Sequence, residues 1–487
     1  MSNMSTEQPI MMRLHDAAVM LPGATLVGSA EVPLTRVHTD TRTLSHGDLF
    51  VALRGERFDA NNFLAEAKAK GAAAAVAEHG LQEAGLPGLL VTDGRIALGQ
   101  LAAGWRRRFD IPLIAVTGSN GKTTVTQMLG AILTAWYGEQ HRVATQGSFN
   151  NDVGLPLTLL RLRTQHRAAA VELGMNHRGE IDYLARITSP TVALVNNAQR
   201  EHMEFMDSVE ATAIENGQVF AHLRAGGVAV FPADDAHATV WRRLAAGHRQ
   251  ISFALQGRAE VTAKVLQDGD MQRIDVHSAW GAFTIRLPLA GRHNAHNALA
   301  AATCALVAGA PIEAVVSGLE RYTPAKGRLV RHALQWRAAP ATLVDDTYNA
   351  NPDSVRAAID VLAAMPAPRW MVLGDMGEVG DQGPQFHAEV GAYARERGID
   401  RMFTLGSLSE HSARAFGASA NAAHNADHYA DRAELASALE QAAVHDPWAS
   451  MLVKGSRFMA MEEFVALILN IVSNDACNLD KQKQISR

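Results

Sequence analysis

Residues Thr117-Gly-Ser-Asn-Gly-Lys-Thr-Thr124 restrict what this 487-residue chain can fold into more than any other segment. They follow a short apolar run, Ile111-Pro-Leu-Ile-Ala-Val-Thr117, that reads as a buried strand. They precede a stretch in which Val125, Met128, Leu129, Ile132 and Leu133 recur at the spacing of one helix face. Between a strand and a helix, glycines let the backbone curl until several N–H groups face one anion. The helix start adds partial positive charge at the same place. Gly118, Ser119, Asn120, Gly121, Lys122, Thr123 and Thr124 are therefore candidate nucleotide contacts. Lys122 can reach β- and γ-phosphates, and the Thr123 hydroxyl can ligate Mg²⁺. The first glycine of the usual G-x-x-x-x-G-K-[ST] loop is replaced by Val116, so the loop is a variant. The plainer alternative is an ordinary glycine-rich turn.

The rest of the chain alternates in the same way. Ala168–Glu172, 191–195 and 228–231 are further strand candidates, and their alternation with helices predicts a parallel sheet with covering helices. A second alternation begins near Arg328. Its strand candidates are 341–345, 370–373, 401–405 and 450–453, and Val355, Ala358, Ile359 and Leu362 make a helix face after the first. Before Asp110, apolar runs such as Asp48-Leu-Phe-Val-Ala-Leu53 mix with a helix-like stretch over 63–70. The chain is too long for one ordinary core. The expected fold is α/β in three domains. These are a smaller α/β domain (1–105), a central P-loop-type, mostly parallel sheet with helices (106–327), and a C-terminal Rossmann-like domain (328–487). The polar residues from Ser473 onward are expected to fray.

Composition excludes several classes. A formal net charge of -5 argues against a broad nucleic-acid-binding surface, though not against local phosphate pockets. Cys304 and Cys477 make no disulfide framework. No apolar run is long enough to span a bilayer, and the first residues lack the basic start and apolar stretch of a leader. A cytoplasmic protein without an integral membrane segment is expected.

Mg²⁺ takes hard oxygen ligands. Glu172 ends a strand candidate, where a carboxylate faces the crevice at the sheet's carboxyl edge, unless it is simply a surface glutamate. His202 follows another strand candidate and is the next metal candidate, against the alternative of a solvated side chain. Glu201 and Glu204 compete with it and rank below it.

Together these motifs resemble the Mur ligase family, over nearly the whole chain. Thr117–Thr124 is similar to that family's T-G-[ST]-N-G-K-T loop. Gly291-Arg-His-Asn-Ala-His-Asn-Ala-Leu-Ala-Ala301 resembles its G-x-H-N-x-x-N-x-L-A-A segment, Gly327-Arg328 its Gly-Arg, and Asp345-Asp346 its acidic pair. The resemblance implies an ATP-dependent amide ligase acting through an acyl-phosphate. It implies Asn294 and Asn297 near adenine, Arg328 near the phosphates and Asp346 near the ribose. The residues alone leave helix capping, a surface salt bridge and a turn cap open for these positions. Asn150–Pro156, Asp345–Ser354, Leu373–Glu378 and Leu452–Arg457 point within the family to the member acting on UDP-N-acetylmuramoyl-tripeptide and D-alanyl-D-alanine. That resemblance implies a monomer with Lys122, Glu172 and His202 as catalytic residues. It implies Thr41 and Arg42 in UDP-sugar binding, and Tyr348, Asn349, Asn351, Lys454 and Arg457 at the amine substrate. For the 348–351 turn, mere turn stabilisation is the alternative. Another amide ligase, such as a folylpolyglutamate synthase, would keep the loop and Glu172 but lack the Tyr-Asn-Ala-Asn-Pro and Lys-Gly-Ser-Arg segments. A P-loop ATPase acting as a regulatory module would turn over ATP with no acyl acceptor. One position departs from the family. Asn216 stands where the family carries a carbamylated lysine for a second Mg²⁺, so that site is absent, built from water, or completed by Glu215. His38 and His387 read as structural.

Overall fold

The computed structural model describes residues 9–268, 271–337, 339–418 and 425–485. The flanks of the phosphate loop organise the centre. Leu113–Thr117 is a strand buried at every position, and Lys122–Tyr137 is the helix that follows. Successive strand residues point to opposite faces, and here each face meets a different core. Ile114 and Val116 pack with Val125, Met128, Leu129, Ile132 and Leu133 of the loop helix, and with the helix Arg292–Val307. Leu113 and Ala115 pack on the other side, in a core shared with Leu49, Val51, Leu98, Leu101 and Trp105 of the N-terminal region.

The three expected units correspond to three main sheets. The first has five strands in the order Thr25–Val27, Gly88–Leu90, Ala74–Ala77, Asp48–Val51, Arg36–His38. The central sheet has nine. Six strands run parallel around Leu113–Thr117, with Ala168–Glu172 and Val192–Val195 as its neighbours. Register sets Glu172 beside Val116 and Val195 beside Thr117, so these strands end at one edge. The strand Val261–Asp268 pairs antiparallel with Met271–Ser278, and that with Gly281–Leu287, extending the sheet beyond the strands read from sequence. The third sheet has six strands, and Ser450–Lys454 lies between Ala339–Asp346 and Arg369–Gly374. Its register makes Lys454 the neighbour of Asp346.

Two departures have physical reasons. The chain past Ser473 does not fray: it continues the helix Glu462–Ile485. Phe464, Val465, Ile468 and Val472 bury the first turns, and each added residue then extends an existing helix rather than nucleating a new one. The strand Val330–Trp336, antiparallel to Ala339–Asp346, was also not expected. Its residues are mostly half-exposed, so no apolar run marks it. Among the described residues no helix is long and apolar enough to cross a membrane.

The first and central regions are joined through a fully buried arginine. Arg106 ends the helix Gly94–Arg106 and donates to the carbonyls of Phe109 (2.5 Å) and Thr188 (3.2 Å), the latter at the end of the helix Glu180–Thr188. Burial lowers its guanidinium to about 10. Replacing it by methionine keeps the apolar stem but strands those carbonyls. Arg106→Met should therefore lose about 2–4 kcal/mol of stability, read as a lower denaturant midpoint. An unchanged midpoint would show that water satisfies the carbonyls.

Candidate active site

The loop is a frame with an open top. Lys122–Tyr137 begins after Gly121, whose φ of 83° is left-handed. Glycine is also required there by space, because an added Cβ would stand 2.3 Å from Asn297 Oδ1. The first three N–H groups of the loop turn inward. Gly118 N–H donates to Asn216 Oδ1 (2.9 Å), Ser119 N–H to the Asn197 carbonyl (3.1 Å) and Asn120 N–H to Asn197 Oδ1 (2.8 Å). Asn196 Nδ2 and Asn197 Nδ2 both donate to the Asn120 carbonyl. The next four behave differently. Among the described residues nothing accepts from the N–H groups of Gly121, Lys122, Thr123 and Thr124. Four unpartnered donors at a helix start, on the carboxyl edge of a parallel sheet, form an anion cradle.

Acidic groups surround the cradle. Lys122 Nζ donates to the Gly118 and Ser119 carbonyls and to Glu201 Oε1 (2.7 Å). Glu172 is buried at the end of its strand. Asn150 Nδ2 donates to its Oε1 (2.7 Å), while its Oε2 is buried without a partner. Glu201 Oε2 is likewise buried and unpartnered. Two buried, unpaired carboxylate oxygens suit a hard divalent cation such as Mg²⁺. Among the described residues no three His, Cys, Asp or Glu side chains converge as a metal cluster, so such an ion would draw its other ligands from water or phosphate.

His202, the third expected ligand, is placed otherwise. Its Nδ1 lies 2.5 Å from Glu378 Oε2 and its Nε2 3.4 Å from Glu201 Oε1. Burial lowers its pKa, but hydrogen bonds to Glu201 and Glu378 outweigh that and hold it at about 9. Both His202 and Glu378 have left-handed φ, 52° and 58°, a strained backbone for such residues.

The third region closes over the loop. Arg328 Nη2 donates to Thr123 Oγ1 (2.8 Å) and its guanidinium stacks on Tyr348 (4.1 Å to the ring centre). Asn351 caps the helix Pro352–Ala363, and its Nδ2 donates to Asn120 Oδ1 (2.9 Å). Arg200, just past the central strand Val192–Val195, grips Asp353 (2.6 Å) and Glu389 (2.6 Å) across the cleft. Burial works against its charge, but these two carboxylates more than compensate and raise its pKa.

Other expected residues are engaged differently from the reading of the sequence. Asn294 Nδ2 donates to the Ala290 carbonyl, and Asn297 Oδ1 accepts from Asn196 Nδ2, so both amides tie backbone and loop together. Asp346 accepts from Leu329 N–H and from Lys454 Nζ (2.6 Å), and Lys454 also donates to the Asn349 carbonyl. Lys454 is thus buried rather than offered to a substrate. Arg457 is exposed and, among the described residues, paired only with Glu462. Asn349 is exposed. Arg42 is exposed and paired with Asp40, and among the described residues no bond links Thr41 or Arg42 to the loop. Glu215 is turned toward the helix Glu180–Thr188: its Oε1 accepts from Gly179 N–H (2.9 Å) and Ile181 N–H (3.0 Å) at that helix's start. Four residues went unread in the sequence: Arg200, Asn196, Asn197 and Glu378. Asn196-Asn197 directly follows a buried strand at the crevice edge, and that position was the available signal.

The chain is similar to known proteins in sequence and fold. Residues 33–106 match the Mur ligase family catalytic domain, 116–305 the Mur ligase middle domain, and 327–457 the Mur ligase glutamate ligase domain. The UDP-N-acetylmuramoyl-tripeptide–D-alanyl-D-alanine ligase of Escherichia coli (strain K12) is 39% identical, over 90% of this chain and 94% of that one. The enzyme of the same name from Haemophilus influenzae is 36% identical over 91% and 95%. A crystal structure of MurF from Acinetobacter baumannii superposes with a TM-score of 0.85 at 35% identity, covering 95% of this chain and 98% of that one.

The Arg200 clasp should govern how tightly the central and C-terminal regions hold together. Arg200→Ala removes a bidentate grip on two carboxylates. Small-angle scattering should then report a larger radius of gyration than the wild type. An identical scattering curve would assign closure to the loop contacts alone.

Proposed function

The chain belongs to the Mur ligase family, and from that premise we infer how its residues serve the reaction. It is an ATP-dependent amide ligase that adds D-alanyl-D-alanine to UDP-N-acetylmuramoyl-tripeptide in peptidoglycan synthesis. The observation that carries the site assignment is the row of four free N–H groups beside Lys122 and the unpaired oxygen of Glu172.

ATP lays its β- and γ-phosphates on the N–H groups of residues 121–124, with Ser119 and Asn120 shaping the loop beneath. Lys122 turns from the Gly118 and Ser119 carbonyls to the phosphates. Arg328, already on Thr123, reaches the same oxygens. The tripeptide carboxylate attacks the γ-phosphorus, an O–P bond forms, the bond to the β-phosphate oxygen breaks, and ADP leaves. The amine of D-alanyl-D-alanine attacks the acyl-phosphate carbon, loses a proton, and expels phosphate. Preorganised N–H groups and cations stabilise the charge that spreads over the transferring group. Mg²⁺, held by Thr123 and Glu172, would neutralise phosphate charge; His202, as paired here, orders Glu201 and Glu378 beside that position.

We assign the UDP-sugar to residues 1–105 through Thr41 and Arg42, ATP to residues 106–327 with Asn294, Asn297 and Asp346 around its nucleoside, and the dipeptide to residues 328–487. Tyr348, Asn349, Asn351 and Arg457 line the dipeptide side, and Lys454 supports them from beneath. We take the chain to act as a monomer, and both ATP and a UDP-linked precursor point to the cytoplasm. A folylpolyglutamate synthase of Mycobacterium tuberculosis shares the fold at 19% identity, with a TM-score of 0.60.

The test is purified protein with ATP, UDP-N-acetylmuramoyl-tripeptide and D-alanyl-D-alanine, scored by product mass. Phosphate release should require both acceptors, and L-glutamate should not replace the dipeptide. Lys122→Ala should lower kcat about 10²-fold or more; wild-type turnover by that variant would overturn the assignment of the loop. Bicarbonate-free buffer should leave the wild-type rate unchanged, because asparagine at 216 forms no carbamate. A rate restored by added bicarbonate would contradict this.

A further inference from the structure

We propose that Asn216 is a positioning residue of the phosphate loop, holding Thr117 and Gly118 so that the cradle stays open before ATP arrives. The inference rests on the reading that this loop binds ATP. It starts from burial and hydrogen bonding. Asn216 is 1% exposed, near the end of the helix Val209–Gly217. Its Oδ1 accepts from the Thr117 hydroxyl (2.6 Å) and from Gly118 N–H (2.9 Å), and its Nδ2 donates to the Thr212 carbonyl (3.1 Å). A backbone N–H can only donate, so the atom facing Gly118 must be the amide oxygen.

Gly118 is pinned from the other side too. Its φ is 127°, and a Cβ there would stand 2.9 Å from the Asn196 nitrogen. The strand end and the first loop residue are therefore clamped between the helix 209–217 and the segment Asn196-Asn197. With 118, 119 and 120 tied back, the N–H groups of 121–124 are left without an acceptor among the described residues. Without Asn216, Gly118 N–H and the Thr117 hydroxyl lose their acceptor in a dry place, and the loop must twist to find another.

The side chain suits the task. A carboxylate would set a negative charge against the phosphates. A lysine would offer no acceptor. A neutral amide supplies the acceptor, and its own bond to Thr212 fixes which way it faces. Both lone pairs of Oδ1 are engaged, so this position acts on the loop rather than on a second cation.

The experiment uses the full-length protein. Calorimetry measures the Kd of a non-hydrolysable ATP analogue with Mg²⁺, and steady-state kinetics gives kcat and both KM values. Asn216→Ala should weaken the analogue and raise KM for ATP about tenfold, roughly one hydrogen bond's worth of preorganisation, with KM for the UDP-linked tripeptide little changed. Thr117→Val, which removes one of the two donors without opening a cavity, should give a smaller loss of the same kind. The double variant should fall short of the sum of the two losses, because both act through one contact. A merely structural role would lower thermal stability and the active fraction while leaving KM for ATP in place. Wild-type nucleotide affinity in Asn216→Ala overturns the proposal. If that variant does not fold, an unchanged KM for ATP in Thr117→Val overturns it. A wild-type protein that binds no analogue overturns the nucleotide reading itself, a result distinct from the other two.

Discussion

Seven consecutive backbone N–H groups, from Gly118 to Thr124, divide into three that bond inward and four that stay open. Much of the central domain is arranged around that division. Parallel register ends the strands at one edge, which sets Glu172 and Asn196 beside the loop. Asn216 comes in from the helix 209–217, and Asn297 from the helix Arg292–Val307 closes the frame through Asn196. The acceptors of the three inward N–H groups are neutral amide or carbonyl oxygens. They therefore hold the first loop residues without setting a negative charge against the phosphates. A preorganised cradle has little reorganisation left to do when charge shifts between oxygens, and that is its catalytic value.

Four cations of the cleft are paired with carboxylates. Lys122 lies on Glu201, Arg200 on Asp353 and Glu389, Lys454 on Asp346, and His202 between Glu201 and Glu378. Several of these pairs join the central and C-terminal domains, as do Arg328–Thr123 and Asn351–Asn120. The surfaces that close the cleft are thus the surfaces that assemble the site. Strain gathers at the same seam: His202, Leu329 and Glu378 all hold left-handed backbone there. Lys122 reaches that seam only indirectly, through Glu201, which also lies beside His202 and so beside Glu378.

The parts of this fold that were legible in the sequence share a cause. Strands buried on both faces write continuous apolar runs, as Leu113–Thr117 and Ala168–Glu172 do, and a glycine-lysine-threonine turn between strand and helix has few other uses. Half-exposed strands such as Val330–Trp336 write no such run. At the site, chemistry was legible and partners were not. Asn216 stood out only as the wrong residue for a carbamate, because its work depends on Thr117, 99 residues away in sequence. Arg200 carried no signal at all, since its partners lie 153 and 189 residues further along the chain.

Lys454 shows how topology, rather than residue type, decides such a question. A lysine after a strand at a sheet's carboxyl edge is a reasonable anchor for a substrate carboxylate. The chain order of the third sheet, however, inserts Ser450–Lys454 next to Ala339–Asp346, and register then makes Asp346 its neighbour. A buried lysine beside a carboxylate forms the pair, because leaving either charge alone there costs more than bringing the two together. With its side chain 3% exposed and its charge matched, Lys454 fixes the geometry of residues 346–349. The exposed charge on this segment is Arg457, three residues on, whose side chain is 61% exposed and pairs with Glu462. A guanidinium there can meet a carboxylate with two parallel hydrogen bonds, which an ammonium cannot do.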